Sequence, residues 1–272
     1  MILTKEQEIE IIEKRKNKIS FKILMNEYGI KSNKTIYDII ERNGRDKIIP
    51  NKKFSVNEKY FEDIDTEEKS YWLGFLYADG YVRIKNNKSG ELKLKLCLKD
   101  KEHIELFRNC IKSTHKIVDG KSCIIIGDKK YESMYSTFSI YNTRLVNDIL
   151  KLGCLNNKTF KIRLPKLRED MIRHFIRGYF DGDGCVSINK NNSTTCCITS
   201  NKQFLCDIFS ILSYGNIKKR GNIYDLRFHH RDNINMFYDL IYNDSNIFLK
   251  RKKETFDKAI SISNSKIKNK NK

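Results

Sequence analysis

The chain has 272 residues, with 53 Lys and Arg against 34 Asp and Glu, a formal charge of +19. That length is enough for one large domain or two modest ones with a true core, and the excess of positive charge favours a polyanionic partner, nucleic acid first. Fourteen Tyr and fifteen Phe beside two Pro argue for a folded body; the Met-Ile-Leu-Thr-Lys-Glu start is not a secretory signal, and no apolar run nears the ~18 residues of a membrane span. The expectation is an intracellular protein of the cytoplasm, nucleoid or organelle matrix, with no membrane partner.

Residues 4 to about 46 read as three short helices. Within them, Ile23 to Ile40 runs helix, Gly29 turn, Ser32/Asn33 cap and a second amphipathic helix. This resembles a helix-turn-helix, whose second helix would enter a major groove and expose Lys31, Ser32, Asn33, Lys34 and Tyr37. Residues 47–66, with Pro50, Lys52 and Lys53, read as a linker or extended arm.

The stretch Trp72-Leu73-Gly74-Phe75-Leu76-Tyr77-Ala78-Asp79-Gly80 returns as Ile176-Arg177-Gly178-Tyr179-Phe180-Asp181-Gly182-Asp183-Gly184, with both the glycines and the acids 104 residues apart. Small residues at i and i+4 (Gly74 with Ala78, Gly178 with Gly182) bare one helix face, so two such helices can meet backbone to backbone. An interior glycine costs about 1 kcal/mol against alanine, a cost that close packing explains. Gly80 and Gly184 are expected as left-handed helix ends. Asp79 and Asp183 then fall in the last turn, where the helix dipole disfavours a carboxylate; brought together, they should raise their pKa values or recruit a cation. Oxygen ligands point to Mg²⁺ or a similar hard ion.

After the first copy, Tyr81, Arg83 and Lys85 alternate with Val82 and Ile84, and Lys93, Lys95, Cys97 and Lys99 alternate with leucines. Each strand therefore has one apolar face and one basic, aromatic face suited to a DNA groove. A helix around Ile104 to Ile111, strands near 123–126 and 133–141, and a helix from about 142 to 152 capped by Gly153 complete the first half. In the second half, Ser187 and Asn189, then Asp225, Arg227 and His229, form the polar alternates, with a strand near 194–200 and helices near 202–213 and from Asn233. The sum is an internal duplication of two αββαββα halves, 67–160 and 161–265, after a helical segment 1–46 and before a basic tail 266–272 expected to be disordered. The eight cysteines show no CxxC pair and no zinc-finger histidines, so buried free thiols are expected.

The paired segments resemble the two signature motifs of the LAGLIDADG homing endonucleases in their single-chain form. The match rests on Gly74, Ala78, Asp79 and Gly80, and on Gly178, Asp181, Gly182, Asp183 and Gly184; Tyr77 departs from it, standing where the motif usually has an acid. The Lys158-Thr159 linker is also similar. The resemblance implies an α+β fold in which the two halves form a DNA-binding saddle, with Gly74, Ala78, Gly178 and Gly182 at the helix interface. It further implies that Asp79 and Asp183 bind Mg²⁺ or another divalent cation such as Mn²⁺. The implied activity is site-specific double-strand cleavage of a long duplex by a monomer, leaving short 3′ overhangs. Lys99 is a candidate basic residue near the metals, with Lys95 and Lys101 competing; in the second half Ser200, Asn201 and Lys202 stay open. The alternative is a non-cleaving nucleic-acid-binding protein of the same fold, a transcription regulator or a splicing maturase that takes RNA. An intein is disfavoured by a Met start and a Lys-Asn-Lys end.

Overall fold

The computed structural model describes residues 3–17, 19–43, 54–85, 89–155 and 160–268, with the side chains of 126 and 263–268 left aside. The chain divides into two compact units, Met1–Ser55 and Val56–Lys272.

The first unit is the expected three helices, α1 (Lys5–Lys16), α2 (Phe21–Glu27) and α3 (Asn33–Arg42). Each begins at a hydroxyl: Thr4 forms a capping box with Gln7, and Ser20 and Ser32 accept from the first-turn amides of Ile23 and Lys34, supplying partners to amides that a helix start leaves unpaired. Ile11, Ile12, Leu24, Tyr28, Ile30, Ile36 and Ile39 close one small core. Gly29 adopts φ +66 in the turn between α2 and α3.

The second unit holds the two halves. The first runs α4 (Glu67–Asp79), β1 (Gly80–Lys85), β2 (Ser89–Cys97), α5 (Lys101–Cys110), β3 (Ile117–Ile126), β4 (Lys129–Tyr141) and α6 (Thr143–Lys151). The second runs α7 (Glu169–Asp183), β5 (Gly184–Ile188), β6 (Thr194–Ser200), α8 (Lys202–Leu212), β7 (Asn216–Arg220), β8 (Ile223–Phe228) and α9 (Arg231–Tyr242), followed by α10 (Lys250–Lys268). Each half forms a four-stranded antiparallel sheet, ordered β1-β2-β4-β3 and β5-β6-β8-β7. The duplicated αββαββα order is thus present, in an α+β fold. One apolar core runs through both halves, from Trp72 and Phe107 to Phe180 and Phe237.

Several boundaries differ from the sequence reading. Of the expected linker, 47–53 lies outside the described residues, while Tyr60 and Phe61 are buried in the core, and Glu58 and Glu62 accept from Asn142 and Arg144. β7 was not anticipated: Ile217 is its one apolar residue, and pairing with β8 along 216–220 imposes the strand. The β3–β4 hairpin begins six residues earlier than the 123 expected, because Asp119 and Gly120 interrupt the alternation that marks a strand. α10 continues over 266–268, where a disordered tail was expected; 269–272 lie outside the described residues. Of the eight cysteines, only Cys154, Cys196 and Cys197 are buried; Cys97, Cys123 and Cys185 are exposed.

The halves meet along α4 and α7. A Cβ added at Gly74 would lie 2.0 Å from the Phe175 carbonyl oxygen, and one at Gly178 would lie 1.9 Å from that of Tyr71. One turn on, a Cβ at Gly182 would stand 2.2 Å from that of Ala78. The four interface residues named from the sequence therefore lie between the helices, and every residue of α4 from Ser70 to Ala78 is buried, as befits a helix apolar on all sides. Gly178→Ala must push two backbones apart and is expected to cost about 3 kcal/mol in urea unfolding, the upper range for overpacking. Ala78→Gly should cost only about 1 kcal/mol, the intrinsic propensity difference; equal effects would show that the contact is not tight.

Candidate functional site

α4 and α7 each run without a loop into the first strand of their half, so Asp79 and Asp183 are the last helical residues before Gly80 and Gly184 open β1 and β5. Neither glycine is left-handed, contrary to expectation: φ is −73 at Gly80 and −82 at Gly184, both with extended ψ. Glycine serves there for space. A Cβ at Gly80 would meet the Leu76 carbonyl oxygen at 2.7 Å, and one at Gly184 would meet that of Phe180 at 2.5 Å.

Both acids are exposed, and the helix contact brings them together. Oδ2 of Asp79 lies 3.2 Å from where a Cβ of Gly182 would be, beside the residue that precedes Asp183. Both carboxylates act on the same two groups. Tyr179, whose hydroxyl donates to Ser200 Oγ at 2.8 Å, has its pKa raised by burial and then by Asp183 and Asp79. The Lys252 ammonium is pushed down by burial, against the pull of Asp181, Asp79 and Asp183. A cavity of about 270 Å³ opens beside Asp183, lined by Tyr77, Ala78, Tyr179, Thr199 and Ser200 among others.

Lys252 is the residue that the sequence reading missed. From the start of α10 its ammonium donates to the carbonyls of Phe180 (2.7 Å), Gly182 (3.2 Å) and Gly184 (2.6 Å), placing positive charge at the helix end where the dipole would otherwise repel Asp183. Its signal is faint, one lysine in Lys250-Arg251-Lys252-Lys253. Lys99 is not at the end of a strand: β2 stops at Cys97, and Leu98–Asp100 forms a single 3-10 turn. There Lys99 lines a different hollow, with Asp100, His103 and Arg251. Its competitors are otherwise engaged, Lys101 with Asp119 at 2.7 Å and Lys95 over the Tyr135 ring at 3.5 Å. Of the second-half alternatives, Ser200 lies beside Tyr179, Asn201 caps α8 through the Phe204 amide, and Lys202 is exposed on α8.

The departure at Tyr77 has a structural explanation. Its counterpart Asp181 is fully buried and accepts from Tyr71 (2.8 Å), Tyr242 (2.6 Å) and the Leu249 amide (2.6 Å). The Tyr77 hydroxyl donates to the Leu152 carbonyl at 2.5 Å. Each residue ties its motif helix to the loop after its half's last common helix, so a carboxylate is not needed at 77 to complete the exposed acid pair.

The polar alternates stay off the core, as the pattern implied. Tyr81, Arg83, Lys85, Lys93 and Lys95 share the outer face of the first sheet, where the Arg83 and Lys93 cations lie 5.6 and 5.7 Å from the Tyr81 ring centre. On the second sheet Ser187 and Arg227 lie on the corresponding face. Asn189 and His229 are exposed just past β5 and β8, with the Asn189 amide bound to Ser193 and Thr195. In the first unit Lys34 and Tyr37 are exposed on α3, Tyr37 edge-on to Phe21 at 5.0 Å.

Residues 170–248 match the family described as a LAGLIDADG-like domain. The matched residues are LAGLIDADG-like. The match covers α7 and the second half, and the first copy of the motif lies in register with it. A Methanocaldococcus jannaschii protein described as replication factor C small subunit is 28% identical over 187 residues, 66% of this chain. The match covers 9% of that protein, so the chain spans under a tenth of its relative's length. Among solved structures, the LAGLIDADG homing endonuclease I-LtrWI bound to target DNA is similar over 77% of this chain and 92% of that one, at 14% identity and a TM-score of 0.49. The LAGLIDADG meganuclease I-AabMI bound to uncleaved DNA is similar over 72% and 91%, at 14% identity and a TM-score of 0.47.

The donor set at the two helix ends suits a hard divalent cation: two exposed carboxylates, and oxygen ligands only. No group of three or more His, Cys, Asp or Glu placed to hold a metal occurs among the described residues. No helix among the described residues is long and apolar enough to cross a membrane.

Beneath the acids, the Tyr71 hydroxyl that donates to Asp181 also accepts from Nε2 of His103 at 2.8 Å. Burial pushes the His103 pKa down to about 4. The unfolded chain, at about 6.5, takes up that proton first, so stability is full above pH 6.5 and falls as the pH drops toward 4. The loss attributable to His103 is about 3 kcal/mol across that window. His103→Gln should flatten the slope of urea-unfolding stability between pH 6.5 and 4; an unchanged slope would remove His103 as its source.

Proposed function

We propose that this protein is a site-specific DNA endonuclease that cuts both strands of a long duplex. The observation that carries this reading is the convergence of Asp79 and Asp183 where the glycine-packed helices α4 and α7 end, in a chain with a LAGLIDADG-like domain. A Mg²⁺ or Mn²⁺ ion held there supplies activation of water and neutralisation of charge at the leaving oxygen. Asp79 and Asp183 would hold that ion. The Lys252 ammonium offsets the negative charge of the α7 end beside Asp183 and Asp79. The Tyr179 hydroxyl and Ser200 line the approach on the second-half side.

The outer faces of the two sheets then lie along a DNA groove, with Arg83, Lys85, Lys93, Lys95 and Arg227 meeting phosphates or base edges. Lys34 and Tyr37 on α3 extend the footprint to a second segment of duplex. The formal charge of +19 fits a polyanionic ligand and predicts steep salt dependence. Action as a monomer belongs to the same reading, since one chain supplies both acids, and short 3′ overhangs are what the resemblance implies.

Duplex DNA from the source locus, rejoined across the presumed insertion, tests it. A discrete double-strand break that requires Mg²⁺, is abolished by EDTA, and falls at least about 100-fold in Asp79→Asn and in Asp183→Asn is expected, the scale of removing a group that stabilises transition-state charge. Specific retention of that DNA with no cut in any divalent ion would reject the nuclease and favour a regulator or a maturase.

A further inference from the structure

Each sheet carries an acid on its outer face, among basic, polar and aromatic side chains. Glu91 shares the outer face of β2 with Lys93 and Lys95, and Asp225 shares that of β8 with Arg227. Neither is solvated: the Glu91 side chain is 6% exposed and that of Asp225 is 2% exposed. A carboxylate facing a phosphate backbone repels it, and an ion pair with a half-exposed arginine adds little stability. Neither affinity nor stability therefore explains two buried acids on these faces.

Their contacts do. Glu91 Oε2 accepts from Arg83 Nε at 2.7 Å, across the β1–β2 register that pairs the two residues. Asp225 Oδ2 accepts from Arg227 NH2 at 2.8 Å and from its Nε at 3.3 Å. Asp225 is itself fixed by the Thr199 hydroxyl at 2.9 Å, with Arg220 at 3.5 Å; Glu91 has Lys93 at 3.4 Å. In both pairs the acid engages the Nε side of the guanidinium. That leaves the far end of the fork, with hydrogens on both terminal nitrogens, uncommitted to the acid on arginines whose side chains are 41% and 34% exposed. A guanidinium end with two parallel donors matches the O6 and N7 acceptors of guanine in a major groove. Fixing its orientation beforehand removes the rotamer entropy that a free arginine loses on binding.

We propose that Arg83 and Arg227 are specificity-determining residues that each read one guanine of the target, and that Glu91 and Asp225 are their positioning residues. This rests on the reading of the sheets as DNA-facing. On it, lysines such as Lys85 and Lys95 supply affinity, while the two acid-held arginines supply sequence information, one from each half.

The test is selection of bound duplexes by the full-length chain, from a pool in which the target is randomised one base pair at a time. The readout is base preference, independent of cutting. The wild type is expected to prefer guanine at one position in each half-site by roughly 5- to 150-fold, the range for a bidentate contact. Arg83→Gln and Arg227→Gln should each flatten one of those positions and leave the others selective. Glu91→Gln and Asp225→Asn should flatten the same positions although both arginines remain, an effect that a merely structural role would not produce. If the arginine variants weaken all sequences alike, the contacts are to phosphate and the proposal falls. It also falls if the acid variants keep the guanine preference. A wild type that selects a target whose preferences none of the four variants alters would overturn this assignment alone, whereas a wild type with no preference at any position would overturn the DNA-recognition reading with it.

Discussion

The structure depends on one contact, the approach of α4 to α7 at a separation only glycine permits. With carbonyl oxygens of the facing helix about 2 Å from the Cβ positions of Gly74 and Gly178, and the Ala78 Cβ 2.2 Å from that of Gly182, there is no room for a side chain at any of the three. The helices must therefore run together to their ends, and their ends carry the acids. Because each helix passes straight into the first strand of its sheet, the contact also fixes where the two polar sheet faces begin. Packing and candidate chemistry are thus one constraint.

Beneath the exposed acids a buried polar network keeps the helices in register. His103 and Tyr71 from the first half reach Asp181, Tyr242 and the Leu249 amide from the second. Arg177, fully buried, bonds Glu67 at 2.6 Å and the carbonyls of Ile241 and Ile247. Such groups are costly to bury unless every partner is present, so the network specifies one arrangement of the halves. It also separates the two acids of the second motif: Asp181 is enclosed by donors and serves the fold, while Asp183, two residues on, faces solvent beside Asp79. Tyr77 does for the first half what Asp181 does for the second, by donating to a carbonyl in place of accepting from an amide.

Much of this was legible in the sequence because it repeats. The 104-residue spacing of Gly74 and Gly178, and of Asp79 and Asp183, marks the duplication, the helix interface and the acid pair, and strict alternation in β1 and β2 separates core from outer face. What escaped has physical reasons. β7 is an edge strand whose partner imposes its conformation. Lys252 reaches Phe180, Gly182 and Gly184 from about 70 residues away in the chain, a distance at which no local pattern operates. Lys99 was misplaced because the alternation of β2 continues in the residue types beyond Cys97, while the backbone has already turned. Gly80 and Gly184 were identified as special for the wrong property, handedness instead of space.

The central claim is that Asp79 and Asp183 form one site. The direct measurement is a double-mutant cycle on Mn²⁺ affinity of the protein bound to its duplex, with Asp79→Asn, Asp183→Asn and the double variant. Acids that share a site should give strongly non-additive losses, an interaction energy above about 1 kcal/mol, whereas strictly additive losses, the behaviour of residues without shared partners, would contradict the account.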